Sequence, residues 1–273
     1  MKKLVKIQLY FVCFFLSTCT LYAANNLRML DIRSMGMGGN GVTGSPLFNP
    51  ALIAIPGESN IHLNYFNRYG LKELATINGG FHFPNDILSF GLDVLSFGYD
   101  AYRESMFRLS LGKQLSSRFS LGISIQYAML QTELMEDRLG RLSTDVGISY
   151  SPFENLLIGM LIMDRPAVFI GDKSFEIKDF TAYLLQIGFR WEVINKLFIS
   201  ATLESNDEKA VTAEAGVEYI PFDQFSLRAG IRGNPLLPSF GIGYGFSLFR
   251  IDVAAVYHPV LGISSGVGLM FSF

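Results

Sequence analysis

From about residue 59 to the end, apolar side chains occupy every second position. Phe119, Leu121, Ile123, Ile125, Tyr127 and Met129 fall on one parity, and Ser120, Gly122, Ser124, Gln126 and Ala128 on the other. Phe240, Ile242, Tyr244, Phe246 and Leu248 alternate in the same way with Gly241, Gly243, Gly245 and Ser247. A strand turns alternate residues to opposite faces, whereas a helix would scatter them around its axis. The pattern predicts about fourteen strands, centred near residues 64, 78, 92, 109, 124, 146, 159, 186, 201, 215, 228, 243, 254 and 267. At about 15 residues per strand and turn, each is long enough to cross a bilayer, which takes roughly 9–11 tilted residues. The last strand, Gly262 to Phe273, carries Val267, Leu269, Phe271 and the terminal Phe273 on one face and Gly266, Gly268 and Ser272 on the other, the form expected of a closing barrel strand.

The connections alternate in length. Pro84-Asn85, Ser116-Ser117, Pro152-Phe153-Glu154, Pro221-Phe222-Asp223 and Leu248-Phe249 mark tight turns. Longer connections lie around Glu133 to Arg141, Ala167 to Asp179 and Asn234 to Ser239. Short periplasmic turns and longer outer loops are the asymmetry of a membrane barrel. An even strand number puts both barrel ends on the periplasmic side. Unpaired strand edges cannot face lipid, so the sheet must close. The fold class is therefore all-β, a transmembrane antiparallel barrel of about fourteen strands.

One strand breaks the rhythm. Leu88, Phe90, Leu92 and Val94 share a face, but Leu95, Phe97 and Tyr99 continue on the other parity. A one-residue slip flips every later side chain unless a bulge absorbs it. The expectation is a bulge at Asp93-Val94-Leu95, read either as an ordinary rim feature or as a lateral opening in the wall.

Composition supports the membrane reading. The 273 residues are 49% hydrophobic and 17% charged, and mean hydropathy is +0.31. The one long apolar run, Ile7 to Leu16, follows Lys2, Lys3 and Lys6 and precedes a small-residue exit, which reads as a signal peptide over 1–23. Thr18 before Cys19 does not suit lipoprotein processing. Both cysteines, Cys13 and Cys19, lie in that segment, so disulfide and thiol chemistry are excluded from the mature chain. Removing the segment takes the formal charge from −2 to −5. With no basic patch, nucleic acid is not an expected partner.

Residues 24–58 lack the alternation and are rich in Gly, Asn and Pro. The run Met35-Gly36-Met37-Gly38-Gly39-Asn40-Gly41 spells a dinucleotide fingerprint, but no strand precedes it and no helix with a distant acid follows, so nucleotide binding is rejected. Asn49-Pro50-Ala51 has the form of a helix start, with Asn as cap and Pro at the first position. Gly36, Gly38, Gly39 and Gly41, then Asn49, Pro50 and Ala51, all ahead of a barrel, resemble the N-terminal region of the FadL-type outer-membrane family, and most closely its PorV/PorQ-like branch. Here the spacer Val42 to Phe48 is short and holds no acid. The resemblance implies three domains: a signal peptide (1–23), a hatch segment tucked into the lumen (24–58) and the barrel (59–273). It also implies an inward kink of the third strand, where the parity slip falls.

Parity places Arg108, Asp145, Arg190, Glu192, Glu204, Glu214, Glu218, Arg228, Arg232 and Asp252 in the lumen, with Glu214 diagonally near Arg228 and Arg232. Mixed signs point to wall pairing rather than to ion selectivity. His62 and His82 should face the lumen near the periplasmic end, close together. No Cys, Asp or Glu stands at ligand spacing, so they read as wall histidines and no metal or other cofactor is expected. No Ser–His pair is singled out by spacing, and the chain is not expected to be an enzyme. Two functions stay open. One is passive outer-membrane transport of a small hydrophobic molecule. The other is a PorV/PorQ-like barrel that docks secreted or surface proteins through its outer loops. Either implies outer-membrane lipid and the barrel-assembly machinery as partners.

Overall fold

The computed structural model describes residues 27–133, 138–170, 183–206 and 211–273. Fifteen strands follow a strand-free opening segment. They are β1 (Asn60–Asn67), β2 (Ala75–Phe83), β3 (Ser89–Tyr99), β4 (Tyr102–Ser116), β5 (Phe119–Thr132), β6 (Leu139–Phe153), β7 (Leu156–Met163), β8 (Ala167–Ile170), β9 (Leu184–Ile194), β10 (Leu197–Asn206), β11 (Val211–Phe222), β12 (Phe225–Arg232), β13 (Leu237–Phe246), β14 (Phe249–His258) and β15 (Gly262–Ser272). Neighbours pair antiparallel, and β1 pairs with β15, so the sheet closes on itself. β7 and β8 both pair with β6 and share one place in the wall, separated by Asp164-Arg165-Pro166. The barrel therefore has fourteen wall positions, and each expected strand centre lies inside an observed strand.

Part of the loop expected at 167–179 is thus strand, because Ala167–Ile170 pair with Gly140–Ser143. The remainder, 171–179, lies outside the described residues, as does the signal-peptide segment 1–23. Five two-residue connections gather at one end, 117–118, 154–155, 195–196, 223–224 and 247–248, and one, 100–101, turns at the other. The barrel's first and last strands meet at the end with the five, with Asn60 opposite Ser272. Longer connections, including 68–74 and 233–236, occupy the other end.

The two faces of the wall invert the order of a water-soluble protein. Outward residues are large and apolar and stand bare, such as Ile61, Leu92, Phe107 and Phe240. Inward residues are polar and buried, among them Asn64, Gln126, Asp145, Gln186 and Glu218. In water, apolar side chains would be the buried set and charges the exposed one. Only hydrocarbon outside makes this arrangement favourable, so the barrel is a membrane-spanning one. At the tight-turn end, Phe249, Phe271 and Phe273 pack in sequence, with centroids 4.9 and 5.6 Å apart, and Phe81 lies 6.3 Å from Phe273. They form part of an aromatic girdle of the kind that sits at a membrane interface. The Phe273 amide donates to the Ser59 carbonyl at 2.9 Å, fastening the chain end to the barrel start.

β3 contradicts the expected bulge. Its ladders run unbroken from Phe83↔Phe90 to Thr76↔Phe97 on β2 and from Ser89↔Gly112 to Tyr99↔Tyr102 on β4. Asp93, Leu95 and Phe97 all point inward and are buried, while Leu92 and Val94 point outward. The apolar parity changes because the lumen becomes apolar there, not because the strand slips. There is no break in the wall at Asp93-Val94-Leu95. Among the described residues, β9 pairs with β7 as far as Met163↔Leu184, and β8 pairs with β6.

Residues 27–54 are almost wholly buried and pack on inward strand faces. Helix α1 (Ile32–Met35) is capped by Asp31, whose carboxylate accepts from Arg33 N at 3.2 Å and Ser34 Oγ at 2.6 Å. It touches β13, β14 and β15. Pro50–Ala54 form a 3₁₀ turn against β4, β5 and β6, with Asn49 as its cap: Oδ1 accepts from Ala51 N at 3.0 Å. The expected helix start is present, wound more tightly than an α-helix. Inward strand glycines make the room. A Cβ on Gly230 would stand 2.1 Å from Gly38 N, and one on Gly122 would stand 2.2 Å from the Pro50 carbonyl carbon. Gly38 itself has φ +76, open to glycine at little cost, and a Cβ there would meet the Ile231 carbonyl oxygen at 2.6 Å.

Candidate functional site

Three zones lie inside the wall. The first is apolar. Leu27, Met29, Leu47 and Phe48 from the opening segment pack with Leu95 and Phe97 of β3, Met106 of β4, Ala128 of β5 and Leu139 of β6. These strand residues lie towards the long-connection end, and Leu74, Tyr102 and Leu130 complete the surround. A second, smaller apolar group, Val42, Leu161, Met163 and Leu184, sits where the β7–β9 ladder stops.

The second zone is charged. The buried Glu218 carboxylate accepts from Arg33 at 2.6 and 3.0 Å, from Arg190 at 2.9 Å and from Arg228 at 2.8 Å. Arg228 also reaches Asp252 at 2.6 Å, which takes a further bond from Arg250 at 2.9 Å. A neighbouring set joins Arg28 and Arg232 to Glu204, each at 2.8 Å, with Gln186 donating at 2.7 Å. Glu214 stands directly opposite Arg232, 3.5 Å from its Nε. The expected neighbourhood of Glu214 and Arg232 is present, but Arg228 is opposite Glu218 and pairs with it instead. The register runs through Glu218↔Arg228, one ladder step of four residues closer to the turn. Arg28 and Arg33 come from the opening segment, so these carboxylates hold that segment to the wall as well as stiffening it. Arg108 adds bonds to the carbonyls of Leu47 and, at 3.3 Å, Phe48, and Asn49 Nδ2 donates to the Ile148 carbonyl at 3.1 Å. The role of Arg28 and Arg33 was not signalled by strand parity, because neither lies on a strand.

The third zone lies near the tight-turn end. His62 and His82 come together as expected, with ring centroids 4.7 Å apart. Asp93 joins them: its Oδ1 is 3.2 Å from His62 Nε2 and 3.0 Å from His82 Nε2. Sequence reading placed Asp93 in a wall opening and found no acid beside the histidines. The missing signal was strand register, which sets His62 and Asp93 opposite the same residue, Gly80, from its two sides.

No protein-family model and no curated protein matches the sequence. Solved barrels do match in structure. The Pseudomonas putida toluene transporter TodX superposes with a TM-score of 0.63 at 13% identity, covering 90% of this chain and 99% of that one. A TodX mutant described as a monoaromatic hydrocarbon channel gives 0.65 at 13% identity, covering 91% and 100%. A Pseudomonas aeruginosa FadL homologue gives 0.57 at 13% identity, covering 89% and 98%. The shared property is the fold. It is a closed antiparallel barrel with fourteen wall positions.

Proposed function

We propose that this protein is an outer-membrane channel for small apolar molecules, with residues 27–58 as a hatch in its lumen. The observation that carries the reading is the apolar zone around Leu95 and Phe97, the largest apolar cluster described inside a lumen rich in buried polar groups. A pore for polar solutes has no use for an apolar cluster in its lumen, whereas apolar ligands are bound by such surfaces. Two structures similar in fold are themselves named as a toluene transporter and a hydrocarbon channel. Entry would be from the long-connection end, the apolar zone would receive the solute, and the hatch held by Glu218 and Glu204 would bar ions.

The test is uptake of radiolabelled toluene by cells with a lipopolysaccharide-covered outer membrane that express the protein. Replacing Leu95 and Phe97 together by Asn keeps both side chains compact but removes the apolar surface. Burying each such side chain contributes about 1.5–3 kcal/mol, so uptake at low concentration should fall at least about tenfold. Unchanged uptake with normal barrel levels would reject the channel reading. A stoichiometric protein partner that co-purifies with the barrel would favour docking instead.

A further inference from the structure

We propose that His62, His82 and Asp93 form a binding site for a divalent transition-metal cation of the zinc type. The site is built by the wall. His62 on β1 and Asp93 on β3 flank Gly80 on β2, and His82 stands two residues farther along β2 on the same face. Two glycines keep the space clear. A Cβ on Gly80 would lie 2.3 Å from Asp93 Oδ1, and one on Gly91 would lie 2.7 Å from the His82 ring. Any side chain at either position would close the gap between the three donors.

The spacing suits one ion. With metal–nitrogen and metal–oxygen bonds of about 2.0–2.2 Å, donors around a tetrahedral zinc lie about 3.3 Å apart. Both imidazole Nε2 atoms are 3.0–3.2 Å from Asp93 Oδ1, and the donor atoms all lie within 4.8 Å of one another. All three residues are buried. His62 Nε2 and Asp93 Oδ2 nevertheless have no hydrogen-bond partner. A buried polar atom left unpaired is costly, and an ion between the three side chains would give His62 Nε2 a partner. Arg108 faces Asp93 across the β3–β4 ladder, yet its guanidinium turns to the Leu47 and Phe48 carbonyls, Ser124 and Asp145. Two imidazoles and one carboxylate suit zinc or its transition-metal neighbours, whereas calcium and magnesium want oxygen alone. Ile53 lies against this cluster, its Cδ1 3.1 Å from where a Gly91 Cβ would be. A bound cation would therefore join the first three strands directly under the luminal segment. The alternative, two neutral imidazoles donating to one carboxylate oxygen, leaves His62 Nε2 poorly aimed and Oδ2 unpaired.

The experiment uses the full chain refolded in detergent with chelator, then exchanged into zinc or cobalt and desalted. Elemental analysis should find about one zinc per barrel, and cobalt should give the intense visible bands of a tetrahedral site. Asp93→Asn and His82→Gln should each cut bound zinc at least about tenfold, as loss of a first-sphere ligand must, while barrel folding is checked by heat-modifiable gel migration. Wild-type protein that retains no zinc, or variants that retain as much as wild type, would overturn the proposal. Should a variant fail to fold, protection is read in the wild type: zinc should shield His62 and His82, but not the half-buried His258, from diethylpyrocarbonate. Equal modification of all three with and without zinc would likewise overturn it. The result is independent of toluene uptake, so the two readings fail separately.

Discussion

Glu218 anchors one of the buried charge networks of the lumen. It lies on β11, fully buried, and three guanidinium groups converge on its two oxygens. A buried charge network of this kind is weak as a net stabiliser, but removing one member leaves its partners uncompensated, at about 3–5 kcal/mol. Glu218→Ala should accordingly lower the thermal unfolding midpoint of the detergent-solubilised barrel and free Arg33. An unchanged midpoint would mean that water already solvates these arginines. Much of this residue-scale chemistry was legible, since parity alone put Glu204, Glu214, Glu218, Arg228 and Arg232 inside. Partner choice was not. Glu218 takes Arg228 because the hairpin sets them opposite each other, and parity is silent about register. The same gap hid Asp93 from His62 and His82, which are separated in sequence but share one inward row.

At the scale of the element, the strands were readable because the solvent on each side of the wall is different. Wherever the lumen is polar, two-residue alternation marks the strand and its faces. β3 was misread for the converse reason. Leu95 and Phe97 meet Leu27, Met29 and Phe48 inside, so both faces are apolar over that stretch and alternation fades. Faces can be separated by charge tolerance. Val94 points to hydrocarbon, and an arginine on a lipid-facing strand position costs about 2–4 kcal/mol near the midplane. Val94→Arg should reduce the folded fraction in lipid vesicles strongly, while Val94→Leu should leave it nearly unchanged. Normal folding of Val94→Arg would mean that Val94 does not face lipid, and would restore the bulge at Asp93-Val94-Leu95 that the ladder contradicts.

The whole molecule is an inverted protein with a filled centre. Its apolar residues face outward, its charges face a lumen, and residues 27–54 occupy inward space left by glycines such as Gly122 and Gly230. The glycine-rich run from Gly36 to Gly41 signalled tight turning, but the matching glycines on the strands read only as small residues of the inner face. Their purpose became visible once the two sets met across the lumen. Planar-bilayer recording tests this arrangement most directly, comparing the full chain with one refolded without residues 27–58. The full chain should be electrically silent or nearly so, and the shortened barrel, shown to be folded by its gel migration, should pass a steady ion current. Equal conductance from the two folded barrels would contradict a lumen closed by its own N-terminal segment.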